Sequence, residues 1–301
     1  MKTQVYKTKA LTEKLLSRYR EDALAFAKEH GRKPCLAVVL VGSDPASSIY
    51  VKKKEETCRA NGLEALDVHL DPSLGFEKLK STVRELNSRK DVDGILVQSP
   101  LPKGWDERLI QSMIDPAKDV DGFHPVNADR LFIDAKDALS DGLPPCTPAG
   151  VMEILKEAGI EVKGKHAVVI GRSTIVGKPM AQMLLAEDAT VTIAHSRTDK
   201  RPQLCRTADI LVAAVGRANF VTADFVKGGA AVIDVGISRI ETPEGKAKVV
   251  GDVNQAEMMG LAGFYTPVPG GVGPMTIVLL IRNTIRAARK LAAAGRVAPN
   301  A

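Results

Sequence analysis

Aromatic side chains are scarce in this chain: one Trp, four Tyr and seven Phe make up 4% of 301 residues. That is too few for the stacked platforms on which single-stranded nucleic acids lie. A concentrated basic stripe is also missing. The net charge of +6 comes from 42 basic and 36 acidic side chains spread along the chain, whereas proteins that track a phosphate backbone cluster their cations. Nucleic acid is therefore not the expected partner, and the mild positive bias suits a small anionic ligand. The four cysteines, Cys35, Cys58, Cys146 and Cys205, lie far apart, with no CxxC pair and no histidine at ligand spacing. They predict neither a disulfide framework nor a metal site, and they point to a reducing compartment. Apolar runs such as 36–41 fall far short of the ~20 residues that span a bilayer, and residues 1–10 lack the apolar core of a signal peptide. These absences predict a cytoplasmic protein with no membrane partner.

What the chain does contain is 45% hydrophobic residues, and at roughly 150 residues per domain its length suggests two domains. Leu15, Leu16, Tyr19, Ala23 and Phe26 recur at helical spacing within 11–30, and Gly31 ends that helix. A strand at 35–41, a helix at 47–61, a strand at 66–70, a helix at 75–87 and a strand at 94–98 follow. Residues 99–148 are broken by Pro, Gly and Asp around one short helix at 106–114, the composition of a connection or a site. A second run begins at Gly150, with helices to Ala158 and over 178–186, and strands at 166–170, 190–194, 209–215 and 230–235. A last helix over 276–294 is placed to return to the first domain. Strands alternating with helices predict parallel sheets and an α/β fold, with the domain boundary near Thr147.

The segment 166–183, HAVVIGRSTIVGKPMAQM, reads as a buried strand, a tight turn at Gly171 and a helix opening between Gly177 and Pro179. Free amides and the helix dipole favour a phosphate at such a point. The spacing GxSxxxG departs from GxGxxG, with Ser173 in place of the second glycine and the third moved to Gly177. It is not a Walker A loop, because five residues separate the glycines and Pro179 follows Lys178. In an NAD site the next strand ends in an acid that holds the ribose 2′-hydroxyl. Here it ends His195-Ser196-Arg197, and Arg172 adds a second cation in the loop. A 2′-phosphate would be paired rather than repelled, so NADP is the expected cofactor.

In the first domain a Gly/Pro turn at 42–45 leads into a helix that Asp44 or Ser47 can cap. Tyr50 and Lys54, four residues apart, share one face of it beyond the carboxyl end of a strand. The positive helix end and neighbouring Lys52 and Lys53 are expected to make Lys54 lose its proton more easily, as suits a proton-transfer group. Gln98 ends the third strand, where its amide can orient Lys54 or a ligand carbonyl. In the turn-rich stretch 116–127, one carboxylate can hold a ring with adjacent N–H donors, although turn-forming Asp residues are commoner.

Seven stretches, YVKKK at 50–54, QSPLP at 98–102, KDVDG at 118–122, PCTP at 145–148, GRSTIVGKP at 171–179, GDVN at 251–254 and TPVPGGVGPMT at 266–276, closely resemble the bifunctional methylenetetrahydrofolate dehydrogenase/cyclohydrolase family. The resemblance covers nearly the whole chain. It implies a folate-binding catalytic α/β domain at 1–147 plus 277–301, a Rossmann-like NADP-binding domain at 148–276, and a cleft between them. It further implies that Tyr50 stacks on the aminobenzoyl ring of a folate, Lys54 approaches the one-carbon bridge, Gln98 holds Lys54 and Asp121 binds the pterin. Leu101, Pro269, Gly270 and Gly273 would line the folate site. Gly171, Arg172, Ser173, Ile175, Val176 and Gly177 would form the cofactor loop, with His195, Ser196 and Arg197 beside it. Thr147, Gly216, Ile237 and Thr276 would complete the cofactor site. A homodimer is the assembly the resemblance implies.

Overall fold

Seven consecutive apolar residues, 35–41, are all buried, which is how a central parallel strand covered on both faces reads. The computed structural model describes residues 2–241, 245 and 247–296. In chain order its first elements are β1 (Gln4–Val5), α1 (Lys9–His30), β2 (Cys35–Val41), α2 (Pro45–Ala60), β3 (Glu64–Leu70), α3 (Gly75–Ser88) and β4 (Gly94–Val97). Then come α4 (Glu107–Met113), α5 (Pro125–Ile133), α6 (Ala135–Ser140), α7 (Cys146–Glu157), β5 (His166–Ile170), α8 (Gly177–Ala186) and β6 (Thr190–Ala194). The chain ends with α9 (Arg201–Cys205), β7 (Ile210–Ala213), β8 (Ala231–Asp234), β9 (Ser238–Glu241), β10 (Ala247–Val250), α10 (Gln255–Met258), β11 (Phe264–Thr266) and α11 (Val272–Ala293).

Two compact units result. One comprises residues 14–133, 137–146 and 277–301, of which 297–301 lie outside the described residues. Its sheet is parallel, in the order β3-β2-β4, and a single parallel bridge between Ile95 and Asp119 lays the 118–121 segment along the free edge of β4. Leu79, Val83 and Leu86 of α3 recur at helical spacing and pack with Ala37, Val39 and Ile95. Where β2 begins, the Asp93 carboxylate accepts two hydrogen bonds from the Arg32 guanidinium, both 2.7 Å, and one from the Cys35 amide at 2.8 Å. Asp93 is fully buried, so its charge rests on these three donors.

The other unit comprises residues 1–13, 134–136 and 147–276. Its six strands run parallel in the order β1-β11-β8-β7-β5-β6, and β9 and β10 form a separate antiparallel pair. The N-terminal residues therefore do not follow the 1–147 boundary. β1 pairs with β11, and Thr8 donates its amide to Gly270 O (2.9 Å) and its hydroxyl to Gly271 O (2.7 Å). The stretch expected to be irregular holds α5 and α6, and α7 opens at Cys146, four residues earlier than the expected start at Gly150.

Removing Asp93 leaves the Cys35 amide without its acceptor and the Arg32 guanidinium with the Lys33 carbonyl at 3.2 Å in place of a carboxylate. We expect Asp93→Ala to lower unfolding stability by about 3 kcal/mol, read from urea denaturation. A loss below about 1 kcal/mol, the range of exposed ion pairs, would contradict this account.

Candidate active site

α2 begins at Pro45 because Asp44 caps it, its carboxylate accepting the Ser47 amide at 2.8 Å. The i, i+4 spacing then sets Tyr50 and Lys54 on one face, with the Lys54 ammonium 5.6 Å from the centre of the Tyr50 ring. Lys54 is only 6% exposed, and its Nζ donates to Gln98 Oε1 at 2.9 Å. Gln98 is held in turn, since its amide continues the β2–β4 ladder to Val39 O (2.8 Å) and its Nε2 donates to Ser99 O (2.6 Å). Next to it Leu101, half-buried against the core of this unit, donates its amide to Glu107 at 2.7 Å.

Burial is the main reason the Lys54 pKa falls below that of an ordinary lysine, with the Asp121 charge pulling it back up. The direction matches the sequence expectation, but the cause does not: Lys52 and Lys53 are exposed, and desolvation outweighs neighbouring charge. Burial likewise pushes the Asp121 carboxyl up to about 6, against the attraction of Lys54. At neutral pH the pair therefore holds an ionised acid beside an amine that gives up its proton readily.

The two acids of KDVDG have different tasks. Asp119 is consumed by the fold, accepting the His124 amide and Asn127 Nδ2, both at 2.8 Å. Among the described residues no hydrogen-bond donor is bound to the Asp121 carboxyl. Lys118 folds away from Asp121, donating to the carbonyls of Asn87 (2.9 Å) and Arg89 (2.6 Å) where α3 ends. Asn283 of α11 donates to Val120 O (2.8 Å) and Pro144 O (2.9 Å), tying the ribbon from behind. Gly122 is left-handed (φ 75), and a Cβ there would overlap the backbone of Leu143 and Pro145. Only glycine permits this turn.

In the six-stranded unit, Gly171 (φ 128) follows β5. A Cβ at Gly171 would overlap Ala214 O, and one at Gly177 would overlap Gly171 O, so the loop closes onto itself and onto the chain after β7. Ser173 Oγ accepts the amides of Val176 (3.1 Å) and Gly177 (3.2 Å) at the start of α8, leaving its hydroxyl proton to donate outward. Ile175 is exposed and Val176 half-buried. The turn after β6 is built on His195, whose ring Nδ1 accepts the Arg197 amide at 3.2 Å. Ser196, Arg197 and Arg172 are exposed, with no acid at the end of β6. Gly216 follows β7 with open space where a Cβ would stand, and the exposed Ile237 follows β8. These groups share the carboxyl edge of adjacent parallel strands, where open α/β sheets bind nucleotides. Thr147 and Thr276 meet through their hydroxyls at 3.0 Å. This loop, its glycines and its cations fit a dinucleotide with a 2′-phosphate.

Tyr50, Lys54, Gln98, Leu101 and Asp121 thus fall in the three-stranded unit, while Pro269, Gly270 and Gly273 fall in the six-stranded one with the cofactor-loop residues. The sequence reading missed Lys118, Asp119 and Asn283 as supports of Asp121. For Asp119 no local signal was available, because residues two apart on an extended ribbon face the same side and spacing does not tell the two acids apart. The partners of Lys118 and Asn283 lie too far along the chain to be read locally. Among the described residues no group of His, Cys, Asp and Glu is arranged to hold a metal, and no helix is long and apolar enough to cross a membrane.

Residues 6–121 match the tetrahydrofolate dehydrogenase/cyclohydrolase catalytic domain, and residues 145–292 match the NAD(P)-binding domain of the same family. The bifunctional protein FolD of Zymomonas mobilis is 52% identical over 95% of this chain and 97% of its own. The FolD dehydrogenase/cyclohydrolase structure from Campylobacter jejuni is 42% identical, with a TM-score of 0.89 over 96% of this chain and 99% of that one. That of Trypanosoma brucei FolD, solved with NADP and an inhibitor, is 35% identical, with a TM-score of 0.91 over 97% and 99%. The chain belongs to the tetrahydrofolate dehydrogenase/cyclohydrolase family.

Proposed function

We infer that this chain is a bifunctional one-carbon enzyme. It oxidises 5,10-methylenetetrahydrofolate to the 5,10-methenyl form with NADP, then hydrolyses that cation to 10-formyltetrahydrofolate. The observation that carries this reading is the buried Lys54, bonded to Gln98 and beside an Asp121 carboxyl that no donor among the described residues engages, in a chain that also carries the Gly171 dinucleotide loop. We assign the folate chemistry to the three-stranded unit and the nucleotide to the six-stranded unit. Cytoplasmic location and a homodimer complete the reading, supported by the mixed charge and reduced cysteines for the first and by family resemblance for the second.

Oxidation requires that a hydride leave the bridging carbon, whose two flanking nitrogens stabilise the cation formed. Bound NADP supplies the hydride acceptor. This step needs positioning rather than a base. The Tyr50 ring offers a stacking face for the aminobenzoyl ring, Leu101 an apolar wall, and the ionised Asp121 an acceptor pair for pterin N–H groups. Pro269, Gly270 and Gly273 join the folate set by family resemblance, and glycines there permit close backbone approach.

Hydrolysis does need proton transfer. Water adds to the methenyl carbon and loses a proton, and the carbon–nitrogen bond then opens as that nitrogen gains one. A buried amine with a lowered pKa serves both steps, taking the proton as the free base and returning it as the ammonium. Gln98 Oε1 accepts one Lys54 N–H and so aims the lone pair. The Gly171 loop at the start of α8 would hold the phosphates, with the Ser173 hydroxyl free to donate to them, while the Val176 and Gly177 amides are already given to Ser173 Oγ. Arg172, Ser196 and Arg197 meet the 2′-phosphate, and His195 shapes that turn. Gly216, Ile237, Thr147 and Thr276 border the rest of the dinucleotide.

We expect Lys54→Met to lower cyclohydrolase turnover by about 10²–10⁴-fold while measurable dehydrogenase activity survives; loss of both in equal measure would remove the proton-transfer role. The Arg172→Ala/Arg197→Ala double variant is expected to lower the NADP-to-NAD ratio of kcat/KM by about tenfold or more, and an unchanged ratio would disprove the 2′-phosphate assignment. Asp121→Asn removes the charge that favours the ammonium, so NMR titration of Lys54 should show its pKa falling further below the ordinary value, together with weaker folate binding. A rise in that pKa would show that Asp121 does not act on Lys54.

A further inference from the structure

Beyond β7 the chain turns around a carboxylate buried in the six-stranded unit. Asp252 is fully buried and accepts three successive amides, those of Val215 (2.6 Å), Gly216 (3.0 Å) and Arg217 (2.7 Å). No cationic side chain is bonded to it among the described residues; the Arg217 guanidinium lies instead over the Phe220 ring, 4.8 Å from its centre. The backbone continues the wrap, with Asn219 N donating to Gly251 O at 3.0 Å and Val221 N to Asp252 O at 2.8 Å. Asp252 is itself placed by Asp234 at the end of β8, whose carboxylate accepts the amides of Asp252 (2.8 Å) and Val253 (3.0 Å). The two acids interlock over glycines: a Cβ at Gly236 would overlap the Asp252 carboxylate, and one at Gly251 would overlap that of Asp234.

Three consecutive N–H groups turned to one point make a nest that would ordinarily take an anion such as a phosphate. In this loop the nest is already filled by the protein's own carboxylate, which repels a second anion. The wrapped segment also abuts the phosphate loop, since the space of a Gly171 Cβ is taken by Ala214 O. Gly236, pressed by Asp252, directly precedes Ile237.

We propose that Asp252, set by Asp234, is the positioning residue of the nucleotide site: it fixes the Gly216 loop for an uncharged part of the dinucleotide and confines the phosphates to the Gly171 loop. This rests on the functional reading above. Asp252→Asn places an NH2 group against amide donors, so the loop loses its template while the fold of the other unit is untouched. The test is NADP affinity by calorimetry, NADP KM and kcat in the dehydrogenase assay, cyclohydrolase turnover of methenyltetrahydrofolate, and the melting temperature.

The expected result is a Kd and KM for NADP raised by about tenfold or more, with cyclohydrolase turnover within about twofold of the parent. Asp234→Asn, which puts an NH2 group where the Asp252 or Val253 amide donates, should shift the same constants in the same direction but less. Unchanged NADP affinity in folded Asp252→Asn would overturn the proposal. So would a loss of both activities in step with the folded fraction, which would make the pair merely structural. The calorimetric arm uses NADP alone and reads the positioning role even if the parent protein failed to oxidise methylenetetrahydrofolate, which would count against the functional reading instead.

Discussion

Taking the Lys54 amine out of water is the constraint from which the site follows. A lysine that is 6% exposed must either find acceptors or shed its proton, because burial disfavours the charged form by far more than a surface contact returns. Among the described residues it has one hydrogen-bond acceptor, Gln98 Oε1, and an ionisable neighbour in Asp121, whose charge acts on it more than the Cys146 and Cys58 thiols do. A second strong acceptor would pin the ammonium and end its use as a base. Without any acceptor the amine would be unaimed. Gln98 keeps its place because it continues the parallel ladder beyond β4, and Asp121 because the 118–122 ribbon is tied along its length. The proposed proton-transfer group thus depends on α3, β4 and α11, none of which carries chemistry of its own.

That dependence explains which parts of the molecule were legible in sequence. β2 and β5 have the bounds read from their apolar runs, because a strand buried on both faces records its environment in every residue; β6 has its expected bounds as well, although it is an edge strand with Thr190 and Ile193 exposed. Tyr50 and Lys54 were legible for a similar reason, since four-residue spacing on a helix is a local property. The 116–140 region was not, because its order comes from long-range side-chain bonds: Lys118 to the end of α3, and Asn283 to Val120 from 163 positions away. β1 and β11, two and three residues long, are too short to carry periodicity, so the N-terminal residues could not be assigned to the six-stranded unit by pattern. The direction of the Lys54 shift followed from its neighbours' charge only by coincidence. Its cause, burial, is a tertiary fact.

Aspartates of opposite fate make the same point about function. Asp93 and Asp252 are fully buried and receive three donors each, and Asp119 receives a backbone amide and an asparagine amide. These carboxylates are saturated by the protein, so each one shapes a loop and is unavailable to a ligand. Asp121 lies two residues from Asp119 and receives no donor among the described residues. A half-buried acid left in that condition is costly to the fold, and the cost is tolerable where a ligand completes the set of donors. Composition and spacing cannot separate Asp119 from Asp121, whereas counting the N–H groups that point at each oxygen separates them at once. On that count Asp119 serves the architecture, and Asp121 is the acid of the pair left open for the proposed pterin contact.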